Sequence, residues 1–260
     1  MMKIESDNII LRDMIESDIE DYVRWFTVER EWENWDAPWE KEDTCKETER
    51  KRWMEYYESV KDRPDDAHRW KFEIEWNGRH IGWVSSYCID ENYKWVGKTE
   101  DCQTVYHAVG IDICEPDAWG NGIGKNILRT FMNYCFENGM NELYTQTWSG
   151  NARMLRCAEK LGFVECDRDV GALEIDGQKY DGLTFKIKTY DEGLCVQCMH
   201  IGPYDNEPAT VELMHQFISE QGYTLDITDS RYHHEIYLSD ARKTAPDKLK
   251  TVIRHPIKAV

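Results

Sequence analysis

Apolar and polar positions along the chain of 260 residues predict two successive structural units. In the first unit, short apolar runs typical of strands alternate with runs of helical spacing, such as Ile19, Tyr22, Val23 and Phe26. The predicted strands are 9–12, 71–76, 81–87, 105–113, 143–147, 173–175 and 182–187, and the predicted helices start at 18 and cover 48–60, 126–136 and the run after 151. This order indicates a mixed sheet flanked by helices, in the α/β (α+β) class.

The pattern restarts after residue 190. A strand over 194–200, a helix over 208–221, and strands over 223–227 and 233–238 predict a small strand–helix–strand–strand unit. We therefore predict two domains, residues 1–190 and 191–260.

A glycine-rich loop joins the strand at 105–113 to the helix that follows it. It reads Trp119-Gly120-Asn121-Gly122-Ile123-Gly124-Lys125. Glycines let the backbone approach a ligand, and the free amides at a helix N-terminus attract anions, so the loop suggests a diphosphate site. The spacing is too short for a P-loop, and the loop lies too far along the chain for a dinucleotide fingerprint.

A second motif lies about thirty residues further on, over 151–163, and ends in Lys160-Leu161-Gly162-Phe163. With the glycine loop it resembles the GNAT family of N-acetyltransferases over about residues 3–188, and especially its aminoglycoside 6′-N-acetyltransferases and ribosomal-protein N-terminal acetyltransferases. The resemblance implies acetyl-CoA as cofactor, a strand before the loop that opens away from its neighbour and donates backbone amides of residues 111–114 to the pantetheine arm and the thioester, and contact of Asn151 with the pantetheine arm. It implies that the coenzyme is held by Ile113, Cys114, Trp119, Gly120, Asn121, Gly122, Ile123, Gly124, Lys125 and Asn151.

Acetyl transfer to an amine requires a group that accepts the amine proton and a source of a proton for the leaving thiol. Asp112 falls where relatives carry a carboxylate near the amine, so it is the first candidate for the general base, with Glu115 and His107 as alternatives. Alternation along the strand also allows an outward-facing Asp112. Many relatives place a tyrosine seven residues after the motif asparagine, but this chain has Ala158 there.

A segment dense in tryptophan and acidic residues precedes the core motifs. Indole rings can pack against cations and carboxylates can pair with ammonium groups, so Trp32, Trp35 and Asp36 are candidate acceptor-binding residues. A helix with inward tryptophans and outward acids explains the same pattern. The leading hypothesis is transfer of acetyl to a primary amine of a small cationic acceptor, such as an aminoglycoside-like antibiotic; a protein N-terminus is the alternative acceptor.

Composition limits the partners and the cellular location that we expect for this protein. Asp and Glu outnumber Lys and Arg by 50 to 32, and the formal net charge of −18 argues against a nucleic-acid partner. No apolar run approaches a membrane span, and no signal peptide is recognised, so we expect a cytoplasmic protein without membrane association. The nine cysteines are scattered, the single Cys195/Cys198 pair has no partner pair, and we expect no metal.

The second unit contains Met199-His200-Ile201-Gly202-Pro203-Tyr204 and, later, His233-His234-Glu235-Ile236-Tyr237-Leu238. These runs resemble one half of the GyrI-like small-molecule-binding fold, which normally has two such halves. The resemblance implies Glu235 as a ligand-binding carboxylate, with drug sensing or hydrolysis of a small molecule as alternative functions. A half-fold also predicts homodimerisation through this unit, or docking on the first domain.

Overall fold

A computed structural model describes residues 1–98, 106–189, 192–229 and 231–260. The chain divides into two compact units, Met1–Thr189 and Tyr190–Val260. Within the described ranges, none of the helices has the length and apolar character needed to cross a bilayer.

The first unit contains nine strands and four helices among the described residues. The strands are β1 (Lys3–Ser6), β2 (Ile9–Arg12), β3 (Lys71–Trp76), β4 (Arg79–Ile89), β5 (Trp95–Lys98), β6 (Tyr106–Ile113), β7 (Glu142–Trp148), β8 (Val164–Ile175) and β9 (Gln178–Lys188). The helices are α1 (Asp18–Thr27), α2 (Lys46–Val60), α3 (Ile123–Glu137) and α4 (Ala152–Leu161). Short 3-10 helices cover Arg30–Asn34, Pro38–Glu40 and Pro116–Ala118.

The strands form one mixed sheet in the order β1-β2-β3-β4-β6-β7-β9-β8, with β5 paired to β4. Neighbouring strands are antiparallel except β6 and β7, which are parallel. This architecture confirms the predicted fold class.

Helices cover both faces of this sheet because successive side chains of a strand point to opposite faces. On β4, Val84 packs in the core with α3, whereas Trp83 packs with α1 and α2. Ile127 and Phe131 of α3 are fully buried, and each such side chain contributes roughly 1.5–3 kcal/mol.

The tryptophan-rich segment is not one regular helix. It forms the 3-10 helices Arg30–Asn34 and Pro38–Glu40, and Trp32 is buried while Trp39 is exposed. Proline at the start of the second 3-10 helix prevents a continuous helix here. The alternative of a single helix with inward tryptophans and outward acids is therefore wrong for this segment, since Glu33 is also buried, while acceptor binding stays a prediction.

A buried polar network lies beneath α1. The Arg12 guanidinium donates to both oxygens of Asp18, at 2.7 and 2.8 Å. The His80 ring contacts Asp21 at 3.0 Å and Glu73 at 3.1 Å. Burial disfavours the charged imidazole, but these carboxylates outweigh burial and raise the pKa of His80 to about 9. Asp18, Asp21 and His80 are close enough to hold a cation, but they already bind one another and Arg12.

The second unit has one strand more than the sequence pattern predicted. It consists of β10 (Cys195–Ile201), α5 (Glu207–Glu220), β11 (Tyr223–Leu225), β12 (His234–Tyr237) and β13 (Lys250–Ala259). The missed strand β13 is central, since β10, β11 and β12 all pair with it. Its basic residues and Pro256 obscured the alternation that buries Thr251, Ile253 and His255.

Candidate active site

The parallel strands β6 and β7 open away from each other. They share a single register pair, Ala108 with Tyr144, whereas β4 and β6 stay paired from Gly82–Ile113 to Ile89–Tyr106. The Thr145 hydroxyl donates to the carbonyl oxygen of Val109 at 2.8 Å, just beyond the register pair. The cleft between the diverging strands matches the opening that the sequence resemblance implied.

The glycine loop leads directly into α3. Gly120 and Gly122 have φ of 79° and 75°, the left-handed region that favours glycine. Gly122 is the N-cap, and no side chain caps the helix there. The first amides of α3 therefore keep hydrogen-bond donors for a ligand, and the positive end of the helix dipole favours an anion. This local structure fits a coenzyme diphosphate.

A cavity of about 1040 Å³ extends along this opening and lies entirely within the first unit. Its walls come from the 3-10 segments, from β4, β6 and β7, from the start of α4, and from the hairpin β8–β9. Trp32, Trp35 and Asp36, the residues predicted to bind the acceptor, all line it. So do Asp112, Ile113, Trp119, Gly124 and Asn151.

Acidic side chains dominate the charge of this cavity. The carboxylates that line it are Asp36, Glu40, Asp112, Asp167 and Asp169. Of the two cations in the lining, Lys94 pairs with Asp169 at 3.4 Å, and Arg153 is stacked between two indole rings. The cavity therefore carries an excess of negative charge.

Two of these carboxylates are close enough to repel each other, and both keep exposed surface in the cavity. Desolvation by the surrounding protein, together with the charges of Glu40 and Glu33, raises the pKa of Asp36 to about 6. Desolvation also raises the pKa of Asp112 well above the usual range, and the charge of Asp36 raises it further. A raised pKa makes each carboxylate a stronger base once it is ionised.

The other candidate bases lie elsewhere. Glu115 accepts hydrogen bonds from the Arg24 guanidinium at 2.7 Å and from Trp25 Nε1 at 2.9 Å, and it is buried against α1. His107 lines a separate pocket with His68. Neither belongs to the lining of the large cavity in the described part of the chain, so the structure does not support either as the base.

Several predicted coenzyme contacts are occupied by the protein itself. Cys114 is buried against α1, and its amide donates to the carbonyl oxygen of Ile81 at 2.8 Å, so it is not available to a ligand. The carbonyl oxygen of Ile113 accepts from Trp119 Nε1, also at 2.8 Å. Ile123 is buried in the core, and the Asn121 side chain donates to the Asp117 carbonyl. The structure therefore favours the loop backbone, rather than these side chains, as the coenzyme contact; Lys125 is half-buried at the start of α3.

A set of contacts fastens Trp35 to the start of α4; we call it the Trp35 clamp. Asn151 Nδ2 and Trp148 Nε1 both donate to the Trp35 carbonyl oxygen. The Arg153 guanidinium lies 4.0 Å from the ring centre of Trp35 and 4.0 Å from that of Trp119. The clamp therefore links the segment that carries Trp35 and Asp36, here called the acceptor segment, to the glycine loop. Asn151, which resemblance assigned to the coenzyme, also caps α4 by accepting from the Met154 amide at 3.0 Å.

Sequence reasoning missed Tyr87, Arg153 and the pair Asp167 and Asp169, all of which line the cavity. Asp167 and Asp169 are two residues apart on β8, and this spacing places strand residues on one face. The spacing of Asp167 and Asp169 could therefore have predicted from the sequence that the two carboxylates share one face. The position of Tyr87 depends on strand order, which the sequence does not state.

Glu235 belongs to the second unit, where it accepts hydrogen bonds from two side chains. His233 Nε2 lies 2.9 Å from its carboxylate, and the Tyr237 hydroxyl donates to it as well. His233 also contacts the His255 ring at 2.7 Å. His234 points elsewhere, toward Glu192, as alternation along a strand predicts.

Two family models match the chain. The model of the acetyltransferase (GNAT) domain matches residues 8–164, and that of the GyrI-like small-molecule-binding domain matches residues 163–258. The second match begins inside residues that the structure places in the first unit. No curated protein sequence matched the chain.

Solved structures share the fold of the first unit. A ribosomal-protein-S5-alanine acetyltransferase from Vibrio fischeri has a TM-score of 0.53 at 18% identity and covers 72% of this chain and 96% of its own. A spermidine N-acetyltransferase from Vibrio cholerae, in complex with CoA and spermine, has a TM-score of 0.52 at 18% identity, covering 70% and 96%. A GNAT-family acetyltransferase from Bacillus anthracis has a TM-score of 0.52 at 13% identity, covering 72% and 98%.

The TM-scores show a common fold, and the first family model spans more than half of the chain. The predicted family resemblance and the predicted enzyme class, an N-acetyltransferase, are confirmed. The chain belongs to the GNAT acetyltransferase family.

Proposed function

We propose that this protein transfers acetyl from acetyl-CoA to a primary amine of a small cationic acceptor, such as an aminoglycoside-like antibiotic. The observation that carries the proposal is the acidic, tryptophan-lined cavity, which is continuous with the opening between β6 and β7. Donor and acceptor can therefore meet in one space. Acetyl-CoA supplies the activated acetyl group, and its diphosphate fits the bare N-terminus of α3.

The charge of the cavity supports a cationic acceptor. Five carboxylates line it among the described residues, and the pKa of Asp36 is raised by desolvation and by the charges of Glu40 and Glu33, both of which a bound ammonium group would offset. Trp32 and Trp35 add aromatic faces that attract cations by roughly 0.5–2 kcal/mol each. A polycation would bind more tightly because its ammonium groups could contact both the carboxylates and the indole rings.

Asp112 is the base in this proposal. An ammonium group must lose a proton before its nitrogen can attack a thioester, and a buried carboxylate with a raised pKa can accept that proton. Gly82 holds the strand that carries Asp112: a Cβ at Gly82 would lie 1.9 Å from the Asp112 carbonyl oxygen. Only glycine therefore allows β4 and β6 to approach this closely.

The test is thiol release from acetyl-CoA with a panel of aminoglycosides, polyamines and basic peptides, using the full chain and its Asp112→Asn variant. We expect turnover with a compact polycation and a loss of at least 100-fold in kcat for the variant. Turnover with peptides alone would favour the alternative, acetylation of a protein N-terminus. Binding of acetyl-CoA without turnover on any amine would refute the proposal.

A second candidate function concerns the second unit. We propose that it binds a small organic cation through Glu235, because this carboxylate is bonded by Tyr237, whose ring packs against that of Tyr204, and aromatic rings beside a carboxylate suit such a ligand. Dye binding to the full chain and to its Glu235→Gln variant tests this role. We also propose that this unit mediates homodimerisation, which light scattering coupled to size-exclusion chromatography would refute by finding a strict monomer. A cytoplasmic location accords with the use of acetyl-CoA.

A further inference from the structure

The position that carries a tyrosine in many relatives cannot supply a proton here. Ala158 is fully buried in the core between α4, α3 and the sheet. Its neighbour Cys157 lines the cavity, and burial raises the pKa of that thiol to about 11, so the thiol keeps its proton and is a competing donor. The proposed acetyl transfer still requires a proton for the departing thiolate. The geometry of the cavity wall therefore has to identify the donor.

Tyr87 lies at the point where the strands separate. On β4 it stands opposite Ala108 of β6, and Ala108 is the residue that makes the single register pair with β7. Gly110 lies two residues after Ala108 on β6, and a Cβ placed on Gly110 would lie 3.6 Å from Tyr87 Cε1. The tyrosine ring thus lies against β6 at a residue without a side chain.

The Tyr87 hydroxyl reaches β7. The backbone amide of Gln146 donates a hydrogen bond to it, and Gln146 lies beyond the register pair, on the diverging part of β7. The side chain therefore spans the opening from β4 to β7. The family resemblance assigns this opening to the pantetheine arm and the thioester.

The Tyr87 hydroxyl carries a proton and has a free position from which to donate it. Burial and the nearby charges of Asp36 and Asp112 raise its pKa, so the hydroxyl keeps its proton at neutral pH. The Gln146 amide occupies an acceptor position of the oxygen and leaves the O–H free to donate. Asp112 lines the same cavity, so a base and an acid face one space.

We propose that Tyr87 is the catalytic acid of this acetyltransferase. The inference rests on the proposed function. Asp112 first takes a proton from the ammonium group and passes it to solvent; the neutral nitrogen then forms a bond to the acetyl carbon and loses its second proton to Asp112. The carbon–sulfur bond then breaks, its electron pair stays on sulfur, and sulfur takes the proton of Tyr87 Oη. Asp112 later releases its proton and Tyr87 regains one through the open cavity, so the net change moves one proton from the amine to the thiol.

Two other side chains of the cavity wall offer a comparable proton and serve as comparisons. Tyr93 carries the same hydroxyl group in the same cavity, but its hydroxyl interacts with Cys166. Cys157 lines the cavity from α4. Tyr93→Phe is therefore the matched control, and Cys157→Ala tests the competing donor.

The first measurement compares steady-state kinetics of the full chain with those of Tyr87→Phe, Tyr93→Phe and Cys157→Ala. We expect kcat to fall about 100-fold for Tyr87→Phe, with KM values within about twofold, and we expect both other variants to keep kcat within about threefold. Equal activity of Tyr87→Phe and Tyr93→Phe would overturn the proposal, as would the large loss appearing in Cys157→Ala.

The second measurement needs no turnover. Coenzyme A is bound to each protein, and the ionisation of its thiol is followed by the ultraviolet absorbance of the thiolate as pH rises. A hydrogen bond from Tyr87 stabilises the thiolate, so we expect the bound thiol to ionise about one pH unit higher in Tyr87→Phe than in the wild type. Equal ionisation overturns the proposal. Since this titration uses only bound coenzyme A, it judges Tyr87 even if no tested amine is acetylated, an outcome that would refute the proposed function instead.

Discussion

Asn151 performs two separable tasks in this structure, and substitution can separate them. Its Oδ1 accepts from the Met154 amide and caps α4, while its Nδ2 donates to the Trp35 carbonyl as part of the Trp35 clamp. Alanine removes both contacts. Serine retains a side-chain oxygen suited to the N-cap but has no amide to reach Trp35.

The expected magnitudes follow from these contacts. Loss of the cap costs about 1 kcal/mol, and loss of the hydrogen bond to Trp35 costs about 1 kcal/mol. The second loss is limited because Trp148 Nε1 still donates to the same carbonyl, at 3.3 Å. We therefore expect Asn151→Ala to lower the free energy of unfolding by about 2 kcal/mol and Asn151→Ser by about 1 kcal/mol.

Urea unfolding measures the stabilities, and kinetics and calorimetry measure the function of the clamp. Because both variants remove one of the contacts that hold Trp35 and so loosen it, we expect both to raise KM for the amine about fivefold, with Kd for coenzyme A changed less than twofold. Asn138→Ala is the matched control, since its amide donates to the Tyr134 carbonyl at the far end of α3. It should lower stability without changing KM.

Two results would refute this reasoning. Equal destabilisation by serine and alanine would show that the cap is not what Asn151 contributes to α4. Weaker coenzyme A binding with an unchanged KM for the amine would show that Asn151 serves the pantetheine arm, as the family resemblance implied, rather than the acceptor segment.

Three further predictions follow from local features. Asp36→Asn removes a charge that raises the pKa of Asp112, so the acidic limb of the kcat/KM profile should move to lower pH; an unmoved limb would exclude Asp112 as the base. Gly122→Ala and Gly78→Ala each place alanine at φ near 75°, with open space around the new Cβ, so each variant should lose about 1–2 kcal/mol of stability from backbone strain alone. Only Gly122→Ala should also weaken coenzyme A binding, as measured by calorimetry. Folding raises the pKa of His80 from 6.5 to about 9, so the stabilisation that protonated His80 contributes is complete below pH 6.5 and is lost as pH rises to about 9. In urea unfolding, the wild type should therefore lose about 3 kcal/mol more stability than His80→Gln over that range. Equal losses would contradict this assignment.

Local patterns in the sequence were sufficient for much of this protein. Strand alternation and helical spacing predicted the mixed sheet with helices on both faces, because burial on a sheet imposes those periods on the residues themselves. The glycine loop was recognisable for a similar reason, since a left-handed backbone at Gly122 restricts the residue type at that position. The elements that were missed, such as β13, carry charge and proline that mask the period.

Only the tertiary structure decided which side chains meet in the cavity. Asp112 and Glu115 are both candidate bases along the chain, yet one faces the cavity and the other is bound by Arg24 and Trp25. Tyr87 lies far in sequence from both motifs and reaches the site because β4 pairs with β6. Pairing of distant strands depends on contacts between residues that no local pattern records. The sequence by itself therefore determined the family and the glycine loop, while the pairing of β4, β6 and β7 determined which side chains face the cavity, among them Asp112, Tyr87 and the acidic residues of its wall.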